Sequence, residues 1–171
     1  MIEFYDMRNM VYVKAEELVA LAKIKGLRLA AAESCTGGLV AAALTDIAGS
    51  SAVFERGFVT YSNDSKIEML GVTPQTLAAH GAVSAQTARE MALGALARSR
   101  ADLAVAITGI AGPGGGSTEK PVGLVHFACA RRGGATVSCE RRFGPLSRSE
   151  IRTLATLEAL ALLRDGVTSG D

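Results

Sequence analysis

Ser34 stands between a short apolar run, Leu27 to Ala32, and Gly37-Gly38, which opens the helical run Leu39 to Ile47. A serine at such a strand-to-helix turn has the unpaired N–H groups of the helix's first turn beside it, where the helix dipole favours negative charge. One segment would then supply both an attacking oxygen and an oxyanion site. The same pattern also fits a plain helix cap by Ser34 or Thr36, and spacing does not choose between the two. Glu33-Ser34-Cys35-Thr36 lacks the flanking glycines of a nucleophile elbow, and His80, at a helix end, and His126, inside a strand, sit in no catalytic context. Both facts argue against a Ser-His-Asp enzyme.

Lysine is the other available base, provided that burial or a neighbouring cation lowers its pKa. Lys66 is the candidate, five residues after Tyr61 in Tyr61-Ser62-Asn63-Asp64-Ser65-Lys66, a turn that could bring phenol and ammonium to one strand edge. A solvated helical lysine is the plainer alternative. Cys35 is a rival nucleophile, or a small buried apolar residue. The loop Thr108 to Ser117 carries Gly109, Gly112, Gly114, Gly115 and Gly116, whose uncovered N–H groups suit a phosphate or carboxylate, although a surface loop fits the composition equally. It lacks the Gly-Lys-Ser/Thr ending of a P-loop and the glycine spacing of a dinucleotide fingerprint. Arg148 and Arg152, four residues apart, share a helix face and could converge on one anion, or simply meet solvent. Two histidines and no acidic cluster suggest no metal site.

The elements that must position these residues follow from periodicity. Lys14 to Lys25 reads as a helix stopped by Gly26, after an opening dozen residues with no clear period. Phe54 to Ser62 reads as a strand, with Asn63-Asp64 capping a short helix from Ser65 to Leu70. Thr73-Pro74 starts another helix, and Ser84 caps Ala85 to Arg100. Leu103 to Ile107 is a strand buried on both faces, Val122 to Ala130 and Ala135 to Phe143 form a hairpin, and Ser147 with Glu150 opens a last helix to Arg164. Parallel crossovers combined with one antiparallel hairpin predict an α/β fold, a three-layer α/β/α sandwich around a mixed sheet of about five strands. Ser34, Tyr61 and Thr108 then fall at the carboxyl ends of three different strands, where ligands of open α/β sheets bind.

Composition narrows the function further. The 171 residues predict a single domain, 1–171, with 1–13 as an N-terminal extension. Eighteen basic residues against 17 acidic ones leave a formal charge of +1, which makes nucleic acid an improbable partner. No apolar run is long enough for a membrane span or a signal peptide, so a cytoplasmic location and no membrane partner are expected. Three cysteines, Cys35, Cys129 and Cys139, suggest free thiols; a two-residue hairpin loop would pair Cys129 with Ser138, and a three-residue loop would set it opposite Cys139. The 29 alanines and the apolar helical faces at Leu93, Leu96 and Leu160 favour a homo-oligomer.

Taken together, Ala32-Glu33-Ser34-Cys35-Thr36-Gly37-Gly38, Phe58 to Asn63 with Lys66, Gly81-Ala82-Val83-Ser84, and Thr108-Gly109-Ile110-Ala111-Gly112-Pro113 followed by Lys120-Pro121-Val122-Gly123 resemble the C-terminal domain of the CinA family over about residues 14 to 165. The resemblance implies hydrolysis of the carboxamide of nicotinamide mononucleotide to nicotinate mononucleotide and ammonia, in NAD salvage, with no cofactor. It implies Ser34 as nucleophile, Lys66 as general base with Tyr61 assisting, and Thr108 in the same pocket. In the mechanism this suggests, N–H groups of Cys35, Thr36 and Gly37 hold the oxyanion, and Gly109, Gly112, Gly115, Gly116, Ser117, Arg148 and Arg152 are the remaining candidates for substrate contact. Phe143-Gly144-Pro145-Leu146-Ser147-Arg148 departs from the family pattern by one extra residue and a missing Asp. A nucleotide-binding or regulatory protein without turnover is the alternative reading.

Overall fold

The computed structural model describes residues 4–169, with side chains from residue 6 onward. Its elements are α1 (Phe4–Lys25), β1 (Leu29–Glu33), α2 (Leu39–Thr45), β2 (Phe54–Val59), α3 (Asn63–Leu70), α4 (Pro74–His80), α5 (Ala85–Ala97), β3 (Leu103–Gly109), β4 (Leu124–Arg131), β5 (Thr136–Arg142) and α6 (Arg148–Thr168). The five strands form one sheet in the order β2-β1-β3-β4-β5, parallel across β2, β1 and β3 and antiparallel from β3 to β5. This is the mixed three-layer sandwich that periodicity predicts.

Alternation along the buried strands separates two cores. Leu103, Val105 and Ile107 of β3, with Leu29 and Ala31 of β1, face α1, α2 and α6. The intervening positions, Ala30, Ala32, Ala104 and Ala106, face the layer holding α5 and the end of α3. Alanine on that face lets α5 lie close to the sheet, and Gly94 of α5 lies against the Leu70 carbonyl, where a Cβ would collide. The alanine and glycine excess is thus structural on this side of the molecule.

Two helix starts and one strand register differ from expectation for identifiable reasons, and α6 runs on to Thr168, past the expected Arg164. Helix α1 begins at Phe4 rather than Lys14; between residues 6 and 14 no position is buried, and Val11 packs only part-buried on the core, so no apolar period marks the first turns. Helix α3 begins at Asn63 because Ser62, rather than Asn63 or Asp64, is its cap, in a reciprocal pair with Ser65. The hairpin sets Cys129 opposite Val137 and Cys139 opposite Phe127, a register in neither of the two anticipated, and all three cysteines are free thiols. Leu96 and Leu160 are buried within the chain's own cores, which leaves Leu93, 43% exposed, as the one anticipated self-association residue on the surface. Among the described residues no helix is long and apolar enough to cross a membrane.

Candidate active site

Parallel strands β2, β1 and β3 end side by side, and each brings polar residues to that edge: Thr60 and Tyr61 after β2, Ser34 after β1, Thr108 at the end of β3. The Ser34 amide donates to the Ile107 carbonyl at 2.9 Å, extending the β1–β3 ladder by one residue and fixing the serine backbone. Below this edge the first turn of α3 directs Lys66 inward. Its Nζ lies 3.0 Å from Ser34 Oγ, 2.8 Å from the Thr60 carbonyl and 3.5 Å from the Ser62 carbonyl.

Lys66 is 1% exposed, and among the described residues no carboxylate reaches its ammonium. A buried cation with only a hydroxyl and carbonyls for company is held mainly by dipoles, and burial pushes its pKa below the ordinary lysine value, with the nearby Cys35 thiol opposing. Once the amine loses its proton, the 3.0 Å contact can run the other way, with the Ser34 hydroxyl donating to Nζ. Cys35, in contrast, has its thiol pushed up to about 12, first by burial. A thiol so raised carries almost no thiolate at neutral pH. Cys35→Ser is therefore expected to retain activity within a few-fold in a steady-state assay, and a collapse would make the sulfur essential.

Ser34, Lys66, Tyr61, Cys35, Thr108, Gly109 and Arg148 line one cavity of about 230 Å³, together with Asn63 and the turn at Ala82-Val83. Thr108 is buried with its hydroxyl donating to the Ala82 carbonyl at 2.7 Å, so it fixes the cavity wall. Lys120 anchors the same turn from outside, donating to the carbonyls of His80 and Val83 at 2.7 and 2.8 Å. Arg148 crosses the cavity mouth, from the Gly112 carbonyl at 2.7 Å to the Tyr61 hydroxyl at 2.7 Å. Ser147 and Glu150 form a capping box at the start of α6, and Arg148, the first residue of that helix, lines the cavity.

Other anticipated residues are placed elsewhere. Arg152 does not join Arg148 on one anion; it donates to the carbonyls of Cys35 and Thr36, at 3.2 and 2.9 Å, and clamps the turn after the serine. Gly112 contributes its carbonyl to Arg148, while Gly115, Gly116 and Ser117 do not line the cavity: Gly116 packs on Val122 and Ser117 pairs with Lys120. The Gly37 amide donates to the Ser34 carbonyl at 3.0 Å, so it is not an available oxyanion donor. Among the described residues the amides of Cys35 and Thr36 find no oxygen acceptor, and the buried Thr36 hydroxyl has no partner.

Glu33 has a role that spacing did not reveal. Its carboxylate, 1% exposed, accepts from the amides of Gly38, Val40 and Ala41 at 3.0, 3.1 and 2.9 Å, occupying the N-terminus of α2. The turn Ser34 to Gly37 separates the carboxylate from the helix it caps, so it matches no capping pattern; an acid beside an unclaimed helix start was the available clue. Glu33→Gln exchanges one acceptor for an N–H donor facing backbone donors. A loss of about 1.5–3 kcal/mol is expected, read as a lower denaturant midpoint at unchanged slope.

A serine hydroxyl bonded to a buried lysine, in a cavity at the strand ends of a mixed α/β sandwich, defines a class of proteins built for chemistry at that edge. Residues 12–167 match the model of the CinA C-terminal domain, and the chain belongs to that family. It is 54% identical over 149 residues to the nicotinamide-nucleotide amidohydrolase PncC of Shigella flexneri, covering 87% of this chain and 90% of that protein. A CinA-like protein of Geobacter sulfurreducens is 55% identical over 140 residues, 82% of this chain but 33% of that longer one. Among solved structures, the competence/damage inducible protein CihA from Agrobacterium tumefaciens superposes with a TM-score of 0.90 at 55% identity, covering 93% of this chain and 96% of that one. A CinA superfamily protein from Klebsiella pneumoniae gives 0.88 at 36% identity, covering 93% and 98%.

Proposed function

We propose that this chain is a nicotinamide-nucleotide amidohydrolase that converts nicotinamide mononucleotide and water to nicotinate mononucleotide and ammonia, with Ser34 as nucleophile and Lys66 as general base. The observation that carries the reading is the buried Nζ of Lys66 at 3.0 Å from Ser34 Oγ. The relatives named for this reaction support the substrate class. Neutral Lys66 takes the Ser34 proton as Oγ attacks the carboxamide carbon, and the Cys35 and Thr36 amides receive the oxyanion. Lys66 then gives the proton to the leaving nitrogen, the C–N bond breaks, and ammonia departs from a nicotinoyl ester. Water, deprotonated by the same amine, adds to the ester carbon; the C–O bond to Ser34 then breaks, and Oγ takes the proton back from Lys66, which restores the hydroxyl and the neutral amine.

The cavity takes the carboxamide end, and the nucleotide's phosphate lies toward its mouth, where Arg148 supplies the charge. Tyr61, 61% exposed, positions Arg148 through its hydroxyl and, among the described residues, offers the one aromatic face at the cavity. A place in NAD salvage and a cytoplasmic location belong to the same reading, the latter supported by three unpaired thiols. Self-association is part of it too, with exposed Leu93 on α5 as the contact to test by sedimentation across a concentration series. The deciding assay measures ammonia release from nicotinamide mononucleotide and from the riboside that lacks the phosphate. Release from the mononucleotide, much reduced with the riboside, is the expected outcome; saturable binding without release would select the non-catalytic reading instead.

A further inference from the structure

Consecutive carbonyls from His80 to Val83 are all taken up by side chains. Lys120 Nζ donates to those of His80 and Val83 at 2.7 and 2.8 Å, the Thr87 hydroxyl to that of Gly81 at 2.8 Å, and the Thr108 hydroxyl to that of Ala82 at 2.7 Å. The amides of the same turn are in the opposite condition. Gly81 donates to the Leu77 carbonyl at the end of α4, but among the described residues the amides of Ala82 and Val83 find no acceptor. Both residues line the Ser34 cavity and both are partly accessible. Unpaired amides in a cavity wall need an acceptor from outside the chain.

Lys120 is shaped to hold this turn. The Ser117 amide donates to the Lys120 carbonyl at 2.9 Å and the Lys120 amide to Ser117 Oγ at 3.0 Å, so a closed turn fixes the backbone from which the side chain reaches out. Gly81, at φ 76°, leaves room for the ammonium, since a Cβ there would lie 3.2 Å from Nζ. Lys120 itself does not line the Ser34 cavity. Its loss would release the carbonyls of His80 and Val83 together, leaving the peptide groups between them free to rotate.

We infer that the amides of Ala82 and Val83 donate to the substrate's phosphate and that Lys120 is the positioning residue that holds them there. The oxyanion already has the amides of Cys35 and Thr36, so the anionic group left for this wall is the phosphate, and Arg148, on the same cavity, supplies the charge that neutral amides lack. The kinetic half of this inference rests on the function proposed above; the binding half does not. The test measures ammonia release from nicotinamide mononucleotide and from the riboside with wild type, Lys120→Met and Lys120→Arg, at low and high salt. Separately, inorganic phosphate is titrated while backbone amide resonances are followed, and circular dichroism checks that each variant is folded. Lys120→Met should raise KM for the mononucleotide about tenfold, the scale of hydrogen bonds to a charged group, with kcat within about twofold and kcat/KM for the riboside unchanged. Lys120→Arg can still donate to two carbonyls and should recover most of the affinity. The ratio of variant to wild-type KM should hold at high salt, which would screen a remote charge. Phosphate should shift the Ala82 and Val83 amides in the wild type and not in Lys120→Met. An unchanged KM, an equal loss with mononucleotide and riboside, a KM ratio that salt abolishes, or no phosphate-dependent shift at these two amides would overturn the inference. Because resonance shifts need no turnover, a failure to bind phosphate is distinguishable from a failure of the amidohydrolase reading.

Discussion

Ser34→Ala is expected to lower ammonia release from nicotinamide mononucleotide by at least about 10⁴-fold, the scale on which removing a nucleophile disables a hydrolase. The fold should survive. The serine backbone is held by the Ile107 carbonyl rather than by its hydroxyl, and Lys66 keeps the carbonyls of Thr60 and Ser62 as partners. Circular dichroism and the thermal midpoint separate a dead site from a lost structure. Substrate binding should change little, because Arg148 at the cavity mouth is untouched.

Lys66→Met is expected to lower kcat by about 10²–10⁴-fold, the usual worth of a general acid–base group. In the wild type, kcat/KM should rise with pH as Lys66 loses its proton, with an apparent pKa below the ordinary lysine value of about 10.4. That limb should vanish in the variant. The same substitution should raise stability at neutral pH, because it removes a buried ammonium with no carboxylate partner. Lys66 binds its proton less tightly when folded than when unfolded, so wild-type stability rises with pH between the lowered folded value and the ordinary one. The advantage of methionine is therefore full below the folded value and shrinks above it. Denaturant midpoints measured at several pH values check this sign.

The parts of this site that were legible from the chain alone share one property: each sits where a strand stops. Ser34 and Thr108 come after the apolar runs Leu27 to Ala32 and Leu103 to Ile107. Tyr61 sits near the end of the strand read over Phe54 to Ser62, which in the structure stops at Val59; open α/β sheets bring such ends together. Lys66 was legible only as a candidate. Its burial depends on the capping box at Ser62 starting α3 two residues earlier than the Asn63-Asp64 pair suggests, which turns its side chain toward Ser34.

The residues read less well are those whose partners are distant in sequence. Arg148 and Arg152 share a helix face, yet one reaches Tyr61 and Gly112 and the other reaches Cys35 and Thr36, a divergence that spacing along α6 does not contain. The glycine-rich loop behaves similarly. Gly109 and Gly116 are glycines because Cβ atoms there would strike the β4 backbone or the residues leading into it, a packing demand rather than a phosphate cradle. Glycine counts alone do not separate those two causes.

The central claim is that Ser34 carries the acyl group, and acid-quenched pre-steady-state turnover of nicotinamide mononucleotide followed by peptide mass mapping tests it directly. The nicotinoyl ester is expected on the peptide at Ser34, rising and falling within the first turnover. An acyl group on Cys35, or product formed in that turnover with no acyl group on the chain, would contradict it.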